Sequence, residues 1–133
     1  MSNARETTNR MIEAWNNRDW EFIRACLHAE TRLIMPDGDE VHGVEACLTQ
    51  GWKDHAVGFP DGRLEVVSSY DDGDVAITEL ILTGTHGATW AGMAATQKKI
   101  EVGTCNIKKF KDGKVWSDRD YLDVQTVFSQ VST

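Results

Sequence analysis

An α+β fold, a curved antiparallel sheet with three helices laid on one face, is predicted by two observations. Apolar residues recur at helical spacing only in the first 57 or so positions, and from residue 63 onward the chain turns to β-branched and aromatic runs separated by Gly- and Asp-rich turns. Helices first and a strand meander after them is the α+β pattern. At 133 residues and 14.9 kDa the chain has the length of one domain, able to bury about two-thirds of its unfolded surface. No linker, repeat or low-complexity segment divides it, so residues 1–133 are expected to form a single domain.

In the opening stretch, Met11, Ile12 and Trp15, then Phe22, Ile23, Cys26 and Leu27, line one face each of two helices. Asn16-Asn17-Arg18-Asp19 separates them, with Asp19 placed to cap the second. Thr31–Met35 reads as a short strand ended by Pro36-Asp37-Gly38-Asp39. Gly43 to Val57 carries Val44, Cys47, Leu48, Trp52, His55 and Ala56 at helical spacing and stops at Gly58-Phe59-Pro60-Asp61-Gly62. Strands follow at Arg63–Tyr70, Val75–Thr83, Ile100–Phe110 and Lys114–Leu122, with a further short one around Trp90 within Ala88–Met93. Val124 to Val131 closes the chain as a short helix or strand.

Charge and composition exclude several functions. A net charge of −7, from 21 acidic against 14 basic residues, argues against nucleic acid, whose affinity rests on Lys and Arg neutralising phosphates. No apolar run approaches the roughly 20 residues of a membrane span, and Met1 to Trp15 has no signal-peptide stretch, so a soluble, cytoplasmic protein is expected. Cys26, Cys47 and Cys105 are odd in number and lack His at ligand spacing, which fits buried small apolar residues rather than disulfides or a zinc site. His28, His42, His55 and His86 are scattered, and no metal is expected. No Gly-rich loop follows a strand and opens a helix, so no nucleotide cofactor is expected either.

A curved sheet covered by helices encloses a cavity lined by the helices and by alternate strand residues. On the last strand, alternation puts Trp116, Asp118, Asp120 and Leu122 on one face and Val115, Ser117, Arg119 and Tyr121 on the other. Two registers of the preceding hairpin are open. A two-residue Asp112-Gly113 loop sets Lys111 opposite Lys114 and puts Asp120 on the face of Cys105. A three-residue Lys111–Gly113 loop, preferred because it buries Phe110 beside Trp116, puts Asp120 with Thr104, Asn106 and Phe110.

The order of these features resembles the SnoaL-like polyketide cyclases of the NTF2-like, cone-shaped superfamily, which also holds ketosteroid isomerases, limonene epoxide hydrolases and scytalone dehydratase. The matching pieces are Pro36-Asp-Gly with His42-Gly43, Trp52 with Phe59-Pro60-Asp61, Gly73-Asp74-Val75-Ala76, Gly84-Thr85-His86-Gly87 with Trp90, and Asp112-Gly113-Lys114 leading to Arg119-Asp120-Tyr121-Leu122-Asp123 and Gln125. The resemblance implies that Asp120 is the pocket acid/base. A carboxylate in a mostly apolar cone is poorly solvated, which raises its pKa toward the range useful for proton transfer. Asn106 is the candidate donor to an enolate oxygen, and Asp118 a second acid beside Asp120. Epoxide opening would need polar groups at the positions of Leu33, Met35, Leu80 and Leu82, and all four are apolar.

These readings assemble a pocket of Trp15, Leu33, Met35, Trp52, His55, Phe59, Leu80, Leu82, Trp90, Phe110 and Trp116, suited to a flat hydrophobic ligand. The expected activity is cofactor-independent acid/base chemistry on a hydrophobic, polyketide-like carbonyl compound, by aldol-type cyclisation or isomerisation. The alternatives are a hydrolase or dehydratase of the same fold and a non-catalytic binding module. The resemblance also implies a homodimer packed through the outer sheet face.

Overall fold

The structure, a computed structural model, describes residues 3–132. Helix α1 (Ala4–Asn16) buries Thr8, Met11, Ile12 and Trp15, the three- and four-residue spacing that faces one side. Arg18, in the left-handed conformation at φ +58°, ends the turn that follows. Its guanidinium donates to the carbonyls of Trp15, Pro60 and Gly62 at 2.8–2.9 Å, tying the end of α1 to the chain before the sheet. Helix α2 (Trp20–Ala25) starts at Asp19, whose carboxylate accepts from Phe22 N–H at 3.1 Å as its cap.

Strand β1 runs from Leu27 to Ile34, four residues earlier than the expected start at Thr31, and turns at Pro36–Asp39 into a three-residue strand β2 (Glu40–His42). The single helix expected over 43–57 is broken into α3 (Val44–Cys47), a π-helical turn (Leu48–Trp52) and α4 (Asp54–Gly58). The cause is local packing. Leu33 of β1 occupies the space a Cβ at Gly51 would need, and the Trp15 indole N–H donates to the Trp52 carbonyl at 2.6 Å. Widening one turn lets the backbone meet both neighbours.

Strands β3 (Arg63–Asp72), β4 (Val75–Thr85), β5 (Lys99–Lys111) and β6 (Lys114–Leu122) complete a curved, open six-stranded sheet of order β2-β1-β6-β5-β4-β3. All pairs are antiparallel except β1 with β6, so the sheet is mixed. Residues 88–93 form no strand; they make a tight turn with a single bridge between Trp90 and Met93. Helix α5 (Val124–Val131), capped by Asp123, buries Val127 and Val131 completely, adding a fourth packed helix region to the three expected. The core joins Met11, Ile23, Leu48, Phe59, Val102, Val115 and Val127 between sheet and helices.

One correction concerns the β5–β6 hairpin. Lys111 pairs with Lys114, so the loop is the two-residue Asp112-Gly113, with φ of +54° and +75°, the doubly positive turn that matches strand twist. The expected three-residue loop is therefore not formed. Asp120 nevertheless pairs with Asn106, because Trp116 is an extra residue: Phe110 faces Val115 while Lys109 faces Ser117. That bulge shifts every later residue of β6 by one place. It brings Asp118, Asp120 and Leu122 to the concave face with Val115, and removes Trp116 from that set.

Candidate active site

Between the helices and the concave face lies a cavity of about 100 Å³ that opens to solvent. One side is apolar: Ile12 and Trp15 of α1, Leu33 of β1, Leu64 of β3, and Leu80 and Leu82 of β4. Gly51, Trp52 and His55 contribute from the broken helix. His55 apart, the acidic, basic and amide groups in the lining come from two neighbouring strands, Asn106 and Lys108 of β5 and Asp118 and Asp120 of β6, with Thr104 and Leu122 beside them.

Those four groups are joined. The Asn106 amide donates to Asp118 Oδ1 at 2.7 Å and to Asp120 Oδ1 at 2.8 Å, and its Oδ1 accepts from Lys108 Nζ at 2.6 Å. A carboxylate offers only acceptors and an ammonium only donors, which leaves the amide one orientation. Lys108 Nζ also reaches Asp118 Oδ1 at 3.4 Å and stands 4.9 Å from the centre of the Trp52 ring. Asn106, Lys108 and Asp118 are 2%, 3% and 5% exposed, so these three are shielded from bulk water. A buried Lys is tolerated because its charge is met by Asp118 and the Trp52 π face.

Asp120 keeps part of its surface, on the cavity side. Burial among apolar groups pushes its carboxyl up to about 6, and the neighbouring charge of Asp118 pushes the same way. Lys108 and the Asn106 hydrogen bond pull against this shift without cancelling it. His55 is held below its ordinary value by burial, against the weaker upward pull of Asp54. It is a neutral imidazole at pH 7 whose Nδ1 is buried without a hydrogen-bond partner among the described residues. Its ring packs 5.5 Å from Trp90 and 6.2 Å from Phe59.

The structure brings Asp120, Asn106, Asp118, Trp15, Leu33, Trp52, His55, Leu80 and Leu82 to one cavity. Five residues expected there lie elsewhere. Met35 lies beyond the end of β1, where its N–H and carbonyl close the turn to β2 through Asp39 and Gly38. Phe59 is fully buried, and Trp90 8% exposed, in an aromatic cluster with His86 and Phe128. There the Trp90 indole N–H donates to Asp54 at 3.0 Å. Phe110 packs in the core opposite Val115. Trp116, the bulge residue, is half-buried with the Arg32 guanidinium 5.4 Å from its ring centre.

Asn106 also differs from its expected role as an oxyanion donor, because both of its N–H groups are engaged by the two carboxylates. Sequence reasoning missed Lys108, Ile12, Gly51 and Leu64 as lining residues, and placed Thr104 and Leu122 on the face of Asp120 without assigning them to the pocket. For Lys108 the available signal is alternation along β5. Ile100, Val102, Thr104, Asn106, Lys108 and Phe110 share one face, with apolar residues at both ends of the row.

The SnoaL-like polyketide cyclase model matches residues 5–131. The chain is 26% identical over 138 residues to aklanonic acid methyl ester cyclase AcmA of Streptomyces galilaeus, covering 98% of this chain and 92% of that protein. Among solved structures, a candidate SnoaL-like polyketide cyclase from Jannaschia sp. CCS1 superposes with a TM-score of 0.89 at 22% identity, over 96% of this chain and 90% of that one. IdmH of Streptomyces antibioticus, a candidate polyketide cyclase, does so with 0.82 at 23% identity, over 96% and 97%. At these identities the superpositions establish the fold.

Proposed function

The chain belongs to the SnoaL-like polyketide cyclase family, an NTF2-like fold, and from that premise we propose that it is a cofactor-independent cyclase or isomerase of a hydrophobic, polyketide-like carbonyl compound. The observation that carries this reading is Asp120: a carboxyl held near pKa 6, facing an apolar cavity, fixed at one oxygen by Asn106. Near neutral pH it is an available base whose conjugate acid is still strong enough to return the proton.

The ring closure proceeds in two proton movements. Asp120 takes a proton from the carbon next to a carbonyl; the C–H electron pair becomes the enolate C=C and negative charge moves to oxygen. The enolate carbon then attacks a second carbonyl of the same molecule, forming the C–C bond. The new alkoxide accepts the proton back from Asp120, so atoms and charge balance. In an isomerisation the proton returns to a different carbon of the same enolate. Asn106 acts as a positioning residue, holding Asp120 and Asp118 at fixed places. Trp15, Trp52, Leu80 and Leu82 provide the surface on which flat rings stack or pack. Epoxide hydrolysis is disfavoured, since the wall of Leu33, Leu80 and Leu82 offers nothing to hold a water opposite Asp120.

Aklanonic acid methyl ester, the compound named in the relative AcmA, is the first substrate to assay, followed by polycyclic β-ketoesters. Asp120→Asn is expected to lower kcat by about 10²–10⁴-fold, the usual worth of a positioned acid/base, with quenching of Trp15 and Trp52 fluorescence by the ligand preserved. Equal turnover by the variant, or quenching of the wild type by every such compound without conversion of any, overturns the reading, the latter in favour of a binding module.

A further inference from the structure

Proton abstraction places a negative charge on the substrate oxygen, and the reaction as described supplies no group to meet it. Asn106 has no N–H to spare. His55, neutral and largely buried, comes from the broken helix rather than from the polar strands. Lys108 is different. Its ammonium carries three donors; one is taken by Asn106 Oδ1 at 2.6 Å and one makes a long bond to Asp118 Oδ1 at 3.4 Å. A third N–H remains on a side chain that lines the cavity beneath the Trp52 ring.

Resting on the assignment of Asp120 as base, we propose that Lys108 is a catalytic residue: its free N–H donates to the carbonyl oxygen of the substrate and stabilises the enolate that forms there. The sheet register sets the spacing. Asn106 faces Asp120 and Lys108 faces Asp118, so Lys108 and Asp120 are diagonal neighbours on one face, about 7–8 Å apart at the backbone. A carbonyl lying along that diagonal presents its oxygen to Lys108 and its adjacent C–H to Asp120. Asn106 bridges the two ends.

The charges support this placement. Before the step the negative charge is on Asp120 and after it on the substrate oxygen, so the sum within the site is unchanged. The Lys108–Asn106–Asp118 cluster sits between the two positions and has no need to reorganise, the condition under which a buried donor is most effective. Trp52 stacks over the same ammonium, so a planar enolate at that oxygen lies against its ring. The substrate class that follows is a carbonyl compound whose enolate is planar and delocalised, a β-dicarbonyl or an aryl ketone, rather than an isolated aliphatic aldehyde.

Two measurements test the proposal. 2-Naphthol serves as a stable stand-in for the enolate, its ionised form being read by absorbance. The wild type and Asp120→Asn are expected to bind it as the naphtholate near neutral pH, whereas Lys108→Met binds it about 10–100-fold more weakly and as the neutral phenol. Turnover of the polycyclic β-ketoester should fall about 10²–10³-fold in Lys108→Met, the scale of losing one oxyanion donor. Because removing the ammonium leaves Asp118 buried and unpaired, the double variant Lys108→Met with Asp118→Asn is the control. If Lys108 only neutralises Asp118, the double variant recovers turnover and naphtholate binding; if Lys108 acts on the oxygen, it recovers stability and neither of the others. Naphtholate binding unchanged in Lys108→Met, with Asp120→Asn inactive, overturns the role of Lys108 and leaves the base in place. Loss of naphtholate in Lys108→Met with Asp120→Asn fully active overturns the base and leaves the anion site.

Discussion

Asp118 and Asp120 stand two places apart on one strand, accept from the same amide and line the same cavity, yet they differ in what else holds them. Asp118 has Lys108 and Asn106 at its Oδ1 and is 5% exposed; Asp120 has Asn106 alone and the cavity before it. The difference fixes the acid limb of the pH profile. With Asp120 acting as base, log kcat/KM is expected to rise with pH to a midpoint near 6 and level off above it. A profile flat from pH 4.5 to 8 would exclude it as the base. The same shift has a sign in stability. The folded carboxyl holds its proton up to about 6, above the usual 3.8, so between those values the folded chain binds a proton that the unfolded chain has released. Stability therefore falls as pH rises through this window, and the penalty is full above it. Asp120→Asn removes the penalty and keeps an acceptor for Asn106. Its Tm is expected to exceed the wild type's by about 4 °C at pH 7.5, the gap closing near pH 4.

The place of Asp120 was legible through the resemblance, because the motif that carries it, Arg119-Asp120-Tyr121-Leu122-Asp123, stands at the end of a readable strand. Lys108 was not, because a lysine in a Lys108-Lys109 pair reads as surface until the register shows which of the two faces inward. At the scale of elements the same lesson has a cause that can be named. Strands β3 to β6 were legible from β-branched composition and Gly-Asp turns, with ends within two residues. What composition does not encode is the extra residue at Trp116, which depends on how β1 and β5 both pair with β6. The π-helical turn was hidden for a similar reason, since Val44 to Ala56 keeps helical spacing throughout and only Leu33 and Trp15 across the cavity impose the wider turn.

Two glycines, Gly58 at a helix end and Gly103 inside a strand, carry opposite expectations. A Cβ on Gly58, at the end of α4, would meet Trp90 Cγ at 2.7 Å and Cδ1 at 2.8 Å, in a fully packed aromatic cluster. Gly58→Ala is expected to lose roughly 2–3 kcal/mol in urea unfolding, the cost of overpacking a core. Gly103 of β5 has nothing within 4 Å of its added Cβ and no positive φ. Gly103→Ala is expected to be neutral or to gain up to about 1 kcal/mol, through the lowered entropy of the unfolded chain. Equal effects of the two substitutions would mean that Trp90 does not pack on Gly58 as described.

Over the whole molecule, the outer sheet face carries a row of apolar residues across three strands, Tyr70, Ile77 and Ile107, in register with Arg119 on a fourth, whose guanidinium covers the Tyr121 ring at 4.7 Å. Tyr70 is 56% exposed and Tyr121 50%, more aromatic surface than a strand normally leaves in water. Our expectation is that this face packs against a second copy, giving a light-scattering mass near twice 14.9 kDa. Tyr70→Asp with Tyr121→Asp should then yield a monomer that retains turnover. A monomeric wild type at tens of micromolar refutes it.

The cavity described above has its charged and amide groups on two adjacent strands and hydrocarbon on the opposing side. A flat ligand in it therefore has two inequivalent sides, one against Asp120 and Lys108 and one against Leu80, Leu82 and Ile12. In the proposed reaction, bond formation and proton return both take place on the first side. The geometry is chiral even where the ligand is not, so ring closure is expected with a single handedness, set by which edge of the molecule Trp15 and Trp52 admit.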